Sequence, residues 1–439
     1  MKPRFLPLLI SCALLAPALS AAPVIQKDDV VAICGDSITA QREYSVYIEE
    51  YLLMCQPALS IKALQCGWGG STAGSLASHL GHDVMTLSPT AATVCLGMND
   101  GNYNALDQDP SLAANYRSGL EKLIAIFRQG NTRTIIIGTP GIVDSTFFRN
   151  PKHANITAAQ YNQSLGQLGR IAKEVAASKG VLFADLHTPM MEAMEKSKGQ
   201  LGARFAFAGN GDGVHGGPPE HLVMAGGGLK AMGFDGNIGA ITYDDAAGTA
   251  TATDGHRIVS SQPGKVVIES SRYPFCFFHG SLDADPQSSA PDFTGSWGNG
   301  TVAILPFVPF NQDLNRYTLI VQNLKSPKAR ITWGEQSKLF TAAELAQGIN
   351  LAAEFLKNPF VQPFAAATKV IAAKQDFESQ FITQFLCNKP ALLAEAPSKA
   401  DAIKAIDGGY RDIHSTLLDD CQKAVKPVTH TIRIEDVSN

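Results

Sequence analysis

The stretch "ICGDSITAQ", residues 33–41, ends an apolar run on a Gly-Asp-Ser corner. Glycine, aspartate and serine favour turns for local hydrogen-bonding reasons, so the corner closes a strand predicted over 30–34 and opens a loop. Ser37 then either turns the chain or attacks a substrate. The second reading needs other loops to supply a base, a carboxylate to orient it, and donors for an oxyanion. Outward from this corner the same pattern recurs. Further strand-like runs lie at 61–65, 93–96, 134–138 and 181–184, with helix-like segments at 44–56, 71–85, 112–129, 158–178 and 218–232. In the 112–129 segment Leu112, Tyr116, Leu120, Leu123, Ile124 and Phe127 fall on one helical face. The alternation predicts an α/β domain over 22–240, with a parallel sheet covered by helices on both faces.

In a doubly wound sheet, function collects in loops leaving the carboxyl ends of the strands. Four such loops carry suitable chemistry: "GDSIT" (35–39), "CGWGGST" (66–72), "GMND" (97–100) and "GNGDGVHGG" (209–217). A serine hydroxyl becomes a nucleophile when an imidazole takes its proton, and the imidazole needs its tautomer fixed. Asp212 and His215 are three residues apart, a spacing that lets a tight turn bring the carboxylate to Nδ1. The expected catalytic set is therefore Ser37 as nucleophile, His215 as base and Asp212 as its orienter. The backbone N–H groups of Ser37 and Gly70 and the side-chain amide of Asn99 are the expected oxyanion donors.

The blocks Gly35-Asp36-Ser37-Ile38, Gly70 in "GGST", Gly97-Met98-Asn99-Asp100 and Asp212-Gly213-Val214-His215 occur in the order found in the SGNH (GDSL) hydrolase superfamily, which this chain resembles over 28–240. The resemblance implies a flavodoxin-like three-layer α/β/α fold, with Ser, Gly, Asn and His at the catalytic centre and Asp as third triad member. The second block often opens with Asn in these enzymes, whereas Gln65 or Cys66 stands here, which leaves Gly67 and Gly69 as alternatives to Gly70. The run "DGVHGGPPEHLVMAGGGLKAMG" (212–233) also resembles secreted esterase-like members that carry a C-terminal extension. No GxSxG elbow occurs in the chain, which disfavours the α/β-hydrolase arrangement.

No cofactor is expected. Gly211, Gly213 and Gly216 satisfy GxGxxG, but no strand immediately precedes them as a dinucleotide site requires. His79, His82, His153 and His221 stand without ligand spacing to carboxylates or cysteines, so no metal is expected either.

Beyond residue 240 the composition shifts. A β-rich module is expected over 241–340, with runs such as "KVVIES" and "RYTLIVQNL". Trp297, Tyr317 and Trp333 would be glycan platforms if the module binds sugars, although bracing of the hydrolase domain is the favoured role. A helical C-terminal region is expected over 341–439, with Ala-rich segments at 342–356, 365–385 and 399–424.

The N-terminus reads as a signal peptide over 1–21, with Lys2 and Arg4, an apolar middle and Ala18-Leu19-Ser20 as a small-residue cleavage signal. Leu9-Ile10-Ser11-Cys12 offers lipoprotein anchoring as a minor alternative. Losing Lys2 and Arg4 takes the formal charge from −4 to −6, which argues against nucleic-acid partners. No further stretch approaches the length of a membrane span. Seven cysteines remain after Cys12, an odd number, with Cys387 and Cys421 as the favoured pair. The expected protein is a periplasmic or extracellular serine esterase acting on small-molecule or polysaccharide esters, most simply by removing acetyl or other short acyl groups from carbohydrate. The rivals are a lysophospholipase or thioesterase and a non-catalytic carbohydrate-binding protein.

Overall fold

The computed structural model describes residues 23–209, 211–278 and 300–437. The signal-peptide segment, Cys12 and Trp297 lie outside them. Strands β1 (Val30–Gly35), β2 (Lys62–Gly67), β3 (Ala91–Cys95), β4 (Thr134–Gly138) and β5 (Leu182–Ala184) form a parallel sheet in the order β2-β1-β3-β4-β5. This is the flavodoxin-like order. Successive residues of a strand face opposite sides, and the core divides accordingly. Val31, Ile33, Ala63 and Ile136 join one apolar cluster, while Ala32, Cys34, Leu64, Ile135 and Ile137 join the other. A sheet buried on both faces needs a helical layer on each, and the chain supplies both.

The short α1 (Ser37–Ala40), α2 (Tyr44–Glu50), α3 (Ala73–His79), α4 (Pro110–Gln129), α5 (Ala158–Lys179), α6 (His187–Leu201) and α7 (Pro218–Ala231) connect or follow the strands. α3, α4 and α5 pack in series on one face, and α2, α6 and α7 on the other. Capping explains several boundaries. Thr157 opens α5 with a capping box to Gln160, and Gly180, left-handed at φ +62°, ends it. The chain is thus a three-layer α/β/α domain with further sheets and helices appended.

A second sheet pairs β6 (Asn237–Asp244) with β7 (Thr249–Ala252), β10 (Arg316–Gln322) and β13 (Ile349–Asn350), in the order β13-β10-β6-β7. The third runs β12-β11-β14-β9-β8, from β8 (His256–Gln262), β9 (Lys265–Ser270), β11 (Lys328–Trp333), β12 (Gln336–Thr341) and β14 (Val428–Val437). The short helices α8 (Phe310–Leu314), α9 (Ala342–Gln347) and α10 (Leu351–Glu354) connect these strands. The C-terminal helices are α11 (Val361–Gln380), α12 (Cys387–Glu395) and α13 (Ala400–Ala424), with a π-helical turn at Phe381–Leu386 between the first two.

Three expectations need correction. The C-terminal region is helical only as far as α13: the chain then returns as β14 and lies between β11 and β9. His430, Ile432 and Ile434 alternate inward along it, the period of a half-buried strand. Tyr317 and Trp333 are fully buried against Phe360 and His430, and the Trp333 Nε1 donates to His430 Nδ1 at 3.1 Å, so neither ring is available to a sugar. All seven cysteines among the described residues are free. Cys421 sits near Lys374, Glu49 and Glu378, whereas Cys387 faces Asp83 and Trp68, which keeps the favoured pair apart.

Candidate active site

β1 stops where Asp36 leaves the strand and caps α1. Its Oδ1 accepts the Ile38 N–H at 3.0 Å, which fixes Ser37 as the first helical residue. Asp36 is buried, and that burial pushes its carboxyl up to about 7. Ser37 is half-buried, with its Oγ 2.7 Å from His215 Nε2. On the other side of the ring, Nδ1 meets Asp212 Oδ2 at 2.6 Å. The second oxygen of Asp212 accepts the N–H groups of Val214 at 2.8 Å and His215 at 3.0 Å. Partial burial works to raise this carboxyl, but the backbone and ring of His215 and the Val214 N–H together hold it below the usual carboxylate range. The structure therefore brings Ser37, His215 and Asp212 into one hydrogen-bonded chain across 178 residues of sequence.

The turn carrying Asp212 and His215 is held from behind. Gly213 adopts φ +72°, and a Cβ there would lie 2.2 Å from the Phe148 nitrogen, so a side chain is excluded by both conformation and space. The Gly213 carbonyl accepts the Asp144 N–H at 2.8 Å, and the Asp212 carbonyl accepts that of Arg149 at 3.0 Å. Asp144 itself is fully buried. Its carboxylate accepts the N–H groups of Thr146, Phe147, Phe207 and Ala208 and pairs with Lys198 at 2.9 Å. Gln41 reaches across from the Ser37 side, donating from Nε2 to the Gly216 carbonyl at 2.9 Å. Sequence reasoning assigned nothing to Asp144, Lys198 or Gln41. Gln41 lies four residues after Ser37, but its partner is 175 residues away.

Gly70 is exposed, at φ +76°, in the turn that the Ser71 N–H closes onto the Trp68 carbonyl at 3.2 Å. Gly67 is inside β2, where the backbone of Thr39 and Ala40 fills the space its side chain would take, so it is a packing glycine. Asn99 is half-buried and donates from Nδ2 to the Ser71 carbonyl at 3.0 Å; the amide carries a second N–H. Asp100 Oδ1 accepts the Ala73 N–H at 2.9 Å, and Tyr161 donates to the Met98 carbonyl. The loops of Gly70 and Asn99 are thus tied to each other. The first is also tied to the end of β1, since the Trp68 N–H donates to the Gly35 carbonyl at 3.0 Å. The Trp68 ring lies 4.8 Å from that of His79 and packs on the second core cluster, which is a packing role. Asp185 and His187 are loop caps, with Asp185 accepting the Thr188 N–H.

Residues 33–211 match the GDSL-like lipase/acylhydrolase family. The α/β domain is that of a GDSL-like hydrolase. With the family comes its reaction class, ester hydrolysis by a serine nucleophile. The GDSL-like match ends just before Asp212, so the placement of Asp212 and His215 at Ser37 stands on the geometry above. The chain is 23% identical over 196 residues to an acetylxylan esterase of Geobacillus stearothermophilus, a span of 44% of this chain and 81% of that one. A crystal structure of that esterase aligns with 48% of this chain and 96% of its own length at 21% identity and a TM-score of 0.39. A gut microbial diltiazem-metabolizing enzyme aligns over 95% of this chain and 99% of its own, at 21% identity and a TM-score of 0.71. The GDSL-like domain and its appended sheets and helices therefore recur together as one fold.

Proposed function

We propose that the protein is an exported esterase that removes acetyl or other short acyl groups from carbohydrate esters through Ser37, His215 and Asp212. The observation that carries this reading is the 2.7 Å contact between Ser37 Oγ and His215 Nε2, with Asp212 on the opposite ring nitrogen. Ser37 Oγ attacks the ester carbonyl carbon and passes its proton to Nε2. The Asp212 carboxylate holds the ring in the needed tautomer and offsets the positive charge that develops. The oxyanion faces the Ser37 and Gly70 N–H groups and the Asn99 amide, which stabilise it where charge appears. The sugar alkoxide leaves with the His215 proton. Water then gives a proton to His215 and attacks the acyl-enzyme, which releases the acid and frees Ser37.

Short acyl groups are favoured by the site's openness. Gly69 and Gly70 are exposed, and Ser37, Asn99 and His215 are half-exposed. A cavity of about 500 Å³ lined by Phe183, Leu222, Val223, Val308, Phe310 and Leu314 shares no residue with the four site loops, so it does not extend Ser37 into an acyl channel. The carbohydrate alcohol is favoured by the acetylxylan esterase relative, and export by the basic, apolar and small-residue order of residues 1–21.

Initial rates on p-nitrophenyl acetate and octanoate, together with acetate release from acetylated xylan, test the reading. The acetyl substrate is expected to be preferred and xylan acetate to be released. Ser37→Ala is expected to cost about 10³-fold or more in kcat. Full activity in Ser37→Ala would overturn the mechanism, and an octanoate preference would overturn the substrate class.

A further inference from the structure

A second cluster of reactive side chains lies away from Ser37, where the loop after α3 meets the start of α12. His79 ends α3, and its Nδ1 stands 2.5 Å from Asp83 Oδ2. Asp83 is fully buried, and its other oxygen accepts the Val84 N–H at 2.5 Å. Cys387, the first residue of α12, comes in from more than 300 residues away. One ligand atom each from His79, Asp83 and Cys387 lie within 4.8 Å of one another. Cys387 is half-buried, so the cluster opens to solvent on one side, where the exposed His82 ring lies 6.4 Å from that of His79. On the inner side the Trp68 ring packs on the imidazole, and the Cys387 side chain is within reach of both Trp68 and Asp83.

An imidazole nitrogen, a carboxylate oxygen and a thiol sulfur form a mixed borderline-soft set. Magnesium and calcium prefer oxygen alone, whereas zinc takes all three donor types. Zinc bonds of about 2.0–2.3 Å at tetrahedral angles set donors roughly 3.3–3.6 Å apart. The His79–Asp83 pair must therefore open by about 0.8 Å, and the sulfur close by about 1.2 Å at most. The three protein ligands leave the fourth position on the solvent side, for water.

We propose that His79, Asp83 and Cys387 form a zinc site that clamps the loop after α3 to the C-terminal helices. The site is separate from the ester chemistry at Ser37. Its contribution is long-range: it joins the helical layer over β2 to a region that the sequence places at the far end of the chain.

The test uses the tag-free full chain, stripped with chelator and titrated with Zn²⁺ by calorimetry and with Co²⁺ by absorption. The expected result is one equivalent of metal per chain and a thiolate-to-cobalt charge-transfer band. Cys387→Ser and His79→Gln, the latter keeping a donor for Asp83, are expected to retain the circular dichroism of the stripped protein and to lose about a hundredfold in affinity. If either variant fails to fold, the cobalt band in the unaltered chain decides, because Cys387 is the one described cysteine that is not buried. Absence of stoichiometric binding, absence of the sulfur band, or binding abolished by His215→Ala and untouched by Cys387→Ser would overturn the proposal.

Discussion

Asp36 shows how one residue beside Ser37 can be structural and titratable at once. It caps α1 through the Ile38 N–H, yet it is buried with a carboxyl pushed up to about 7 by that burial, and the Asp100 carboxyl nearby raises it further. The cap needs only an oxygen acceptor, which an amide supplies equally well. Asp36→Asn is therefore expected to keep ester hydrolysis within a few-fold at pH 6. It is also expected to raise the melting temperature at pH 8, where the native aspartate is ionised inside the protein. Loss of activity by a hundredfold at pH 6 would show that the charge itself is needed. The site residues that the sequence singles out share a property: Ser37, Asn99, Asp212 and His215 all stand at or beside short corners whose composition marks them. Asp144, Lys198 and Gln41 stayed hidden because their roles lie in contacts across 54 to 175 residues, which no local pattern encodes.

At the scale of elements, the parallel sheet ends at β2, and an edge strand leaves backbone groups unpaired. Here α11 covers that edge with side chains. Lys374 Nζ donates to the Ala63 carbonyl at 2.6 Å, and Glu378 Oε2 accepts the Gln65 N–H at 3.0 Å. Lys374 is fully buried between Glu49 at 2.8 Å and Glu378 at 3.0 Å; the pull of these two carboxylates exceeds the cost of burial and keeps it protonated. His414 of α13 closes the network on Glu378 at 2.8 Å. Gln65 in turn donates from Nε2 to the Thr39 carbonyl at 2.9 Å, so the chain of contacts runs from the C-terminal helices to the helix that begins with Ser37. Removing one member of a buried charge set leaves the others uncompensated, which costs about 3–5 kcal/mol. Lys374→Met is expected to lower urea-unfolding stability by that amount, with Glu378→Gln costing less. An unchanged midpoint in Lys374→Met would mean that the network is already neutralised by protonation. In sequence, Lys374, Gln375 and Glu378 look like the solvated face of an Ala-rich helix. Only the packing of α11 on β2 reveals which face is buried.

For the whole molecule, composition divides the chain into three parts, while the packing joins them. One apolar cluster runs without a break from Ile25 through the α2 and α7 layer into both appended sheets and ends at Ile434. The parallel domain was legible because its strands follow one another with helices between. The place of β14 was not, since its partners β9 and β11 precede it by roughly 100 residues or more, and strand order at that distance leaves no periodic trace. A core this continuous also buries many ionisable groups, and their shifts set a pH window for stability. Burial pushes the carboxyls of Glu43 and Glu50 up to about 8 and that of Asp36 up to about 7. It pushes His221 and His430 down to about 3 and His256 down to about 4. A raised carboxyl favours the folded state fully below its unfolded value near 4, and that contribution is lost as pH rises toward 8. A lowered histidine contributes fully above its unfolded value near 6.5, and its share is lost as pH falls toward 3. Between about pH 4 and 6.5 the two slopes oppose each other, whereas above about 6.5 only the carboxyls titrate and below about 4 only the histidines do. Scanning fluorimetry from pH 6 to 9 is expected to show a fall of several degrees in melting temperature by about pH 8.5. A melting temperature that climbs steadily to pH 8.5 would mean that these carboxyls are hydrated in the folded protein and that α2, which carries Glu50 and follows Glu43, is looser than its packing implies.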